Sequence, residues 1–167
     1  MQVHPTTVDP GALVQRLTDE ALRGLRGLDA WHSLLHAHAS LMRQLATDLA
    51  RKARLPLGDF DVLAQLARVG GELRMTDLAT KTFSSRSAMS RRVDRMVDEG
   101  LVSRSVANTD GRGVAVALTE AGLARLAAAV PIHLQGVSKL FIERLDDQEL
   151  EVLQRALDKV SLDCSFG

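Results

Sequence analysis

Apolar positions at helical spacing dominate the chain, interrupted once by two short stretches that alternate in period two. Residues 12 to 25 set Leu13, Leu17, Ala21, Leu22 and Leu25 three to four apart, which predicts a helix that Gly24 and Gly27 end or weaken. A longer stripe, Trp31, Leu34, Leu35, His38, Leu41, Met42, Leu45 and Leu49, predicts the inner face of a helix capped by Asp29 and running to about Ala53. Pro56 breaks the chain, and residues 59 to 69 turn Phe60, Leu63, Leu66 and Ala67 inward until Gly70 and Gly71 stop them. ELRM at 72 to 75 reads as an extended link. Thr76 reads as the cap of a short helix from Asp77 to Thr82 that buries Leu78, Ala79 and Phe83. After a tight turn, Met89, Val93, Met96 and Val97 share one face of a helix from Arg86 to Glu99, which Gly100 terminates.

The pattern then changes. Leu101 to Ala107 and Val114 to Leu118 alternate as strands do, and NTDGRG between them is rich in turn formers. That loop is longer than a tight hairpin needs, so it is expected to project as a wing. Thr119 caps a long helix extending to about Leu145, in which Pro131 is expected to produce a kink or a break. Asp146 opens the last helix with Glu149 three residues on, the spacing of a capping box, and Leu150, Leu153, Leu157 and Val160 form its stripe. The fold class expected is mainly α with a small β-hairpin, built around two short helices joined by a turn, the helix-turn-helix pattern.

Composition agrees with a helical core, since the apolar residues are mostly Leu, Ala and Val and only 3% are aromatic. A net charge of zero says nothing about a nucleic-acid partner, but its distribution does. Lys81 to Arg112 holds seven Lys or Arg against four acids, whereas Glu143 to Asp163 holds seven acids against three bases. Such a chain can offer one segment to phosphates and keep another away. The single cysteine, Cys164, excludes an internal disulfide framework and any multi-cysteine metal site. His32 and His36 stand four apart and could share a metal, but no third ligand is visible, so neither metal nor cofactor is expected. No stretch is long and apolar enough to span a membrane. The opening MQVHPTTVDPG lacks a basic region followed by an apolar run, so no secretory signal is expected and the default location is the cytoplasm.

The stretch 84 to 113 concentrates the candidate chemistry. The N-terminal residues of a recognition helix meet base edges in the major groove. Ser85, Ser87 and Ser90 are short donors and acceptors suited to phosphates or bases, and Arg86 and Arg91 can reach guanine edges or phosphates. Arg95 is expected against the DNA backbone. Arg112, between Gly111 and Gly113, is placed for a narrow minor groove, with Asp110 orienting it or a neighbouring Arg. An isolated Arg is ordinarily a solvated charge; here the arrangement as a whole favours the DNA role. An enzyme is disfavoured: there is no phosphate-binding Gly-rich loop with Lys, no Gly-x-Ser-x-Gly, no His-Glu-x-x-His and no Tyr.

LPLGDFDVLAQL at 55 to 66, MTDLA at 75 to 79, SSRSAMSRRVDRMVDEGLV at 84 to 102 and DGRGVAVALTEAG at 110 to 122 together resemble the MarR family of winged-helix regulators, over roughly residues 29 to 162. In that family a Gly-Leu-Val junction, here Gly100 to Val102, follows the recognition helix, and an Asp-x-Arg pair, here Asp110 and Arg112, sits in the wing. The resemblance implies a winged helix-turn-helix lobe plus a helical dimerisation layer: a flexible tail (1–10), N-terminal dimerisation helices (11–54), the DNA-binding lobe (55–118) and C-terminal dimerisation helices (119–163). It implies a homodimer on a pseudo-palindromic operator. It also implies a transcriptional repressor relieved by a small, aromatic or anionic effector approached by Trp31, His32, His36 and Asp61. The bland alternative for those four is core packing or ordinary surface. A peroxide sensor with a reactive Cys in the first long helix is disfavoured, because no Cys lies there. The remaining rival is a winged-helix protein-interaction module without DNA binding, which the presence of Ser87, Arg91 and Arg112 argues against.

Overall fold

The computed structural model describes residues 9–21, 27–106 and 113–164. Its elements are α1 (Pro10–Ala21), α2 (Leu28–Ala53), α3 (Leu57–Arg68), β1 (Glu72–Arg74), α4 (Met75–Lys81), α5 (Arg86–Asp98), β2 (Val102–Val106), β3 (Val114–Leu118), α6 (Glu120–Leu140), a 3-10 turn (Ile142–Arg144) and α7 (Asp147–Cys164). The expected tail, apart from Asp9 and Pro10, and the wing tip with Asp110 and Arg112 lie outside the described residues. The chain divides into two units at Ala39 and Ser40, inside α2.

In the first unit, α1 begins at Pro10, the first helical position, where a missing N–H costs nothing. Leu13, Val14 and Leu17 of α1, and Trp31, Leu34 and Leu35 of α2, are all exposed. The stripe expected to form an inner face along the whole of α2 is therefore buried only at Leu45 and Leu49, in the second unit.

The second unit holds the core. Val62, Leu63 and Leu66 of α3, Leu78 of α4, and Met89, Val93 and Met96 of α5 are fully buried together, closed by Val102 and Val116 of the sheet and Leu126 and Ala129 of α6. Gly136 admits the close approach of α2 to α6, since a β-carbon there would press on Leu45. Two expectations fail in and just after α4. The helix starts at Met75 with Arg74 at the cap position, so Thr76 is not the cap; its hydroxyl instead meets the Asp77 carboxylate at 3.3 Å. Phe83 is not buried but 99% exposed, with φ at +51°. The turn between α4 and α5 needs a left-handed residue at that point, and this backbone carries the side chain away from the core.

The hairpin is in fact a three-stranded antiparallel sheet in the order β1-β3-β2. Glu72 pairs with Ala117 and Arg74 with Ala115 on one edge of β3, and Val102 with Leu118 and Val106 with Val114 on the other. ELR is too short to show a period, yet the second edge of β3 has backbone groups that require partners. Thr119 does cap α6: its Oγ1 accepts from the Gly122 N–H at 3.0 Å and donates to the Gly100 carbonyl at 2.7 Å. A β-carbon at Gly122 would collide with the Leu101 carbonyl, so this turn is also where α6 is pinned to the end of α5.

Pro131 does not break α6, which runs through it to Leu140. The intrahelical donor that Pro131 lacks falls opposite Ala127, on an exposed stretch where water can replace it. The helix stops short of the expected Leu145 and tightens into the 3-10 turn. The capping box is present: the Asp146 N–H donates to Glu149 Oε2 at 2.9 Å, and the Glu149 N–H to Asp146 Oδ1 at 2.8 Å.

Candidate nucleic-acid interface

The helix-turn-helix is α4, the turn at Thr82 to Ser85, and α5. Ser85 caps α5, its Oγ accepting from the Ala88 N–H at 3.2 Å and lying 3.3 Å from Ser87 Oγ. The inner face of α5 is seated on the core through Met89, Val93 and Met96. The opposite face and the first turn expose Ser85, Arg86, Ser87 and Arg91. No ion pair engages Arg86 or Arg91 among the described residues, so both guanidiniums are available to an anionic partner.

Two further candidates have other commitments. Ser90 is half-buried, and both its carbonyl and its Oγ accept from Arg104 of β2, at 3.3 and 3.4 Å. Arg104 also pairs with Asp94 at 2.6 Å, which ties the wing strand to α5. Arg95 was expected on the DNA backbone. Its Nη2 instead chelates Asp59, at 2.5 Å to Oδ1 and 2.7 Å to Oδ2. Arg92 reaches the same carboxylate at 3.2 Å. Asp59 is completely buried, in the first turn of α3, where the helix dipole favours an acid.

Sequence reading gave no role to Asp59 or Arg104 and did not foresee that Arg92 turns inward. The signal for Asp59 was present: it stands three and four residues before Val62 and Leu63, and seven before Leu66, which puts an acid on an apolar stripe. A buried carboxylate must find cationic partners. Gly58 beside it was equally silent, yet a β-carbon there would occupy the place of the Arg92 guanidinium.

Of the effector candidates, Trp31, His32 and His36 lie exposed on the first half of α2, Trp31 at 54%. Asp61 is half-buried on α3. Its carboxyl is held above the ordinary value by desolvation, against the opposing charges of His133 and Arg92. His133 of α6 stacks on Phe60 with ring centroids 4.6 Å apart. Desolvation holds its imidazole below the ordinary value, with Asp61 pulling the other way, and its Nδ1 is buried without a hydrogen-bond partner among the described residues.

The model of the MarR family matches residues 55–113, a segment that includes α3, β1, this helix-turn-helix and β2. A Bacillus cereus HTH-type transcriptional regulator is 31% identical over 117 residues, covering 70% of this chain and 77% of the relative. The chain belongs to the MarR family of transcriptional regulators. Among solved structures it is similar to AbsC, a MarR family regulator of Streptomyces coelicolor, with a TM-score of 0.78 at 33% identity over 84% of this chain and 95% of that one. It is also similar to Sco3205 of the same organism, solved in complex with DNA, with a TM-score of 0.74 at 30% identity over 79% and 83% of the two chains.

Proposed function

We propose that this MarR-family regulator is a homodimeric repressor of a pseudo-palindromic operator, released by a small aromatic or anionic effector. The observation that carries the reading is the face of α5 on which Ser85, Arg86, Ser87 and Arg91 are presented to solvent while the residues behind them are fully buried. Arg91 reads a base edge and Arg86 and the serines take phosphates or bases. Arg112 enters the adjacent minor groove from the wing, with Asp110 orienting it. Residues 55–118 form the reading lobe.

Dimerisation is assigned to residues 11–54 and 119–163. Support comes from the exposed apolar side chains on each: Leu13, Val14, Leu17, Trp31, Leu34 and Leu35 in the first unit, and Leu123, Leu134, Ile142, Val152 and Val160 in the second. Amphipathic helices with this much uncovered apolar surface are those that assemble. The effector is assigned to Trp31, His32, His36 and Asp61, and the location to the cytoplasm.

Footprinting on genomic DNA with and without candidate small molecules tests the whole reading. The expected result is two protected half-sites about one helical turn, or a multiple of it, apart, lost when an effector is added. A single protected half-site removes the dimer, and protection indifferent to every small molecule removes the effector. No protection at all favours an interaction module.

A further inference from the structure

We infer that Asp59 is a positioning residue for DNA reading: through Arg92 and Arg95 it fixes the rotation of α5 about its own axis, and Arg95 serves this anchor rather than the DNA backbone. The inference deepens the DNA-reading assignment and rests on it. The apolar seat of α5 gives attraction without direction. Charge-assisted hydrogen bonds are directional, and α5 has them on both flanks. At about 100° per residue, Arg95 and Arg92 lie to one side of Arg91, and Asp94 and Ser90 to the other. The first pair is held by Asp59 of α3, the second by Arg104 of β2. Arg91 is thereby left at the middle of the outward arc.

Three features make Asp59 the stronger of the two anchors. It is wholly buried, whereas Asp94 is 54% exposed, so solvent screens its pairing less. It receives two guanidiniums from successive turns of α5, which resists rotation better than one. Gly58 leaves the room that the Arg92 guanidinium needs to arrive.

The test uses the full chain and two probes: a duplex that the native protein enriches from a randomised pool, and a scrambled duplex of the same composition. Removing an acid from a DNA-binding lobe should, by bulk electrostatics alone, tighten binding to any duplex. For Asp59→Asn we expect the opposite on the enriched duplex, a loss of about tenfold to a hundredfold, the scale of one or two base contacts. Binding to the scrambled duplex should hold within about twofold or tighten. A variant that is only less well folded loses both affinities together, so the ratio separates positioning from stability.

Arg95→Ala, which alters a half-exposed side chain and keeps the fold within reach if Asp59→Asn does not, should lower the same ratio. It should leave the salt dependence unchanged. A slope of log affinity against log salt that is shallower by about one per protomer would make Arg95 a phosphate contact and overturn the proposal. Equal or tighter binding of Asp59→Asn to both duplexes would overturn it too. A native chain that enriches no duplex overturns the DNA-reading assignment, and the positioning role with it.

Discussion

Arg91 and Arg92 are neighbours in the chain with opposite employment. Arg91 points to solvent, and no ion pair engages it among the described residues. Arg92, 100° around the helix, bends back over Gly58 to a carboxylate that is 0% exposed. Arg95, nearly a turn further on, joins Arg92 although half its side chain is in solvent. The basic character of α5 therefore has two parts, one available to an anion outside the protein and one already neutralised by an anion within it. Counting cations along a segment overstates what DNA can use.

The largest effect expected from this contrast is on stability. Arg92→Ala combined with Arg95→Ala leaves Asp59 as a buried charge without a partner, which costs about 3–5 kcal/mol. The loss should exceed the sum of the two single variants, each of which leaves one guanidinium in place, and urea unfolding of the four chains measures it. Additive losses would mean that the carboxylate is not shared.

Arg91→Ala sharpens the other half of the contrast. It should lower operator affinity by about 1–3 kcal/mol and relax sequence preference, while moving unfolding by no more than about 0.5 kcal/mol. A matching loss of stability would place Arg91 in the fold rather than on the DNA.

Phe83 isolates the turn that starts the reader. A left-handed backbone is costly for a bulky side chain that makes no compensating burial, so Phe83→Gly should stabilise the protein by up to about 1 kcal/mol in the same unfolding assay. No gain would mean that the exposed ring has a partner in the folded protein.

The smallest effect is a pH dependence at the seam of α3 and α6. The native state holds His133 below its ordinary value of about 6.5, so as pH falls from 7.5 toward 5.5 the unfolded chain takes up a proton that the native state refuses. Stability should decline over that window, and His133→Gln should remove this part of the decline. Asp61 has the opposite sign. Its carboxyl is raised, so as pH falls toward its ordinary value of 3.8 the native state takes up a proton before the unfolded chain does, and acidification relieves the fold. Asp61→Asn should therefore steepen the net acid loss, and an unchanged profile would show that neither group titrates differently on folding.

The helices were legible because burial imposes a period on any sequence that forms them. The stripe Met89, Val93, Met96, the positive φ of Gly100 and the reciprocal bonds of Asp146 and Glu149 follow from local spacing alone. Phe83 was misread because a large apolar residue beside a helix is ordinarily core, and nothing nearby in sequence announces a left-handed turn. Strand β1 was read as a link because three residues are too few for a period. Asp59 was overlooked although its place on the α3 stripe was readable, since its partners lie 33 and 36 positions away.

The sequence alone determined the helices and the two longer strands, the family they compose in that order, and the outward Ser85, Arg86, Ser87 and Arg91 of α5. These depend on interactions within a few residues, or on patterns that survive without coordinates. Only the tertiary structure decided which arginines remain available to DNA. A guanidinium can reach its partner from any element that folding brings alongside it, and the choice between a phosphate and a buried carboxylate is made by distance and desolvation.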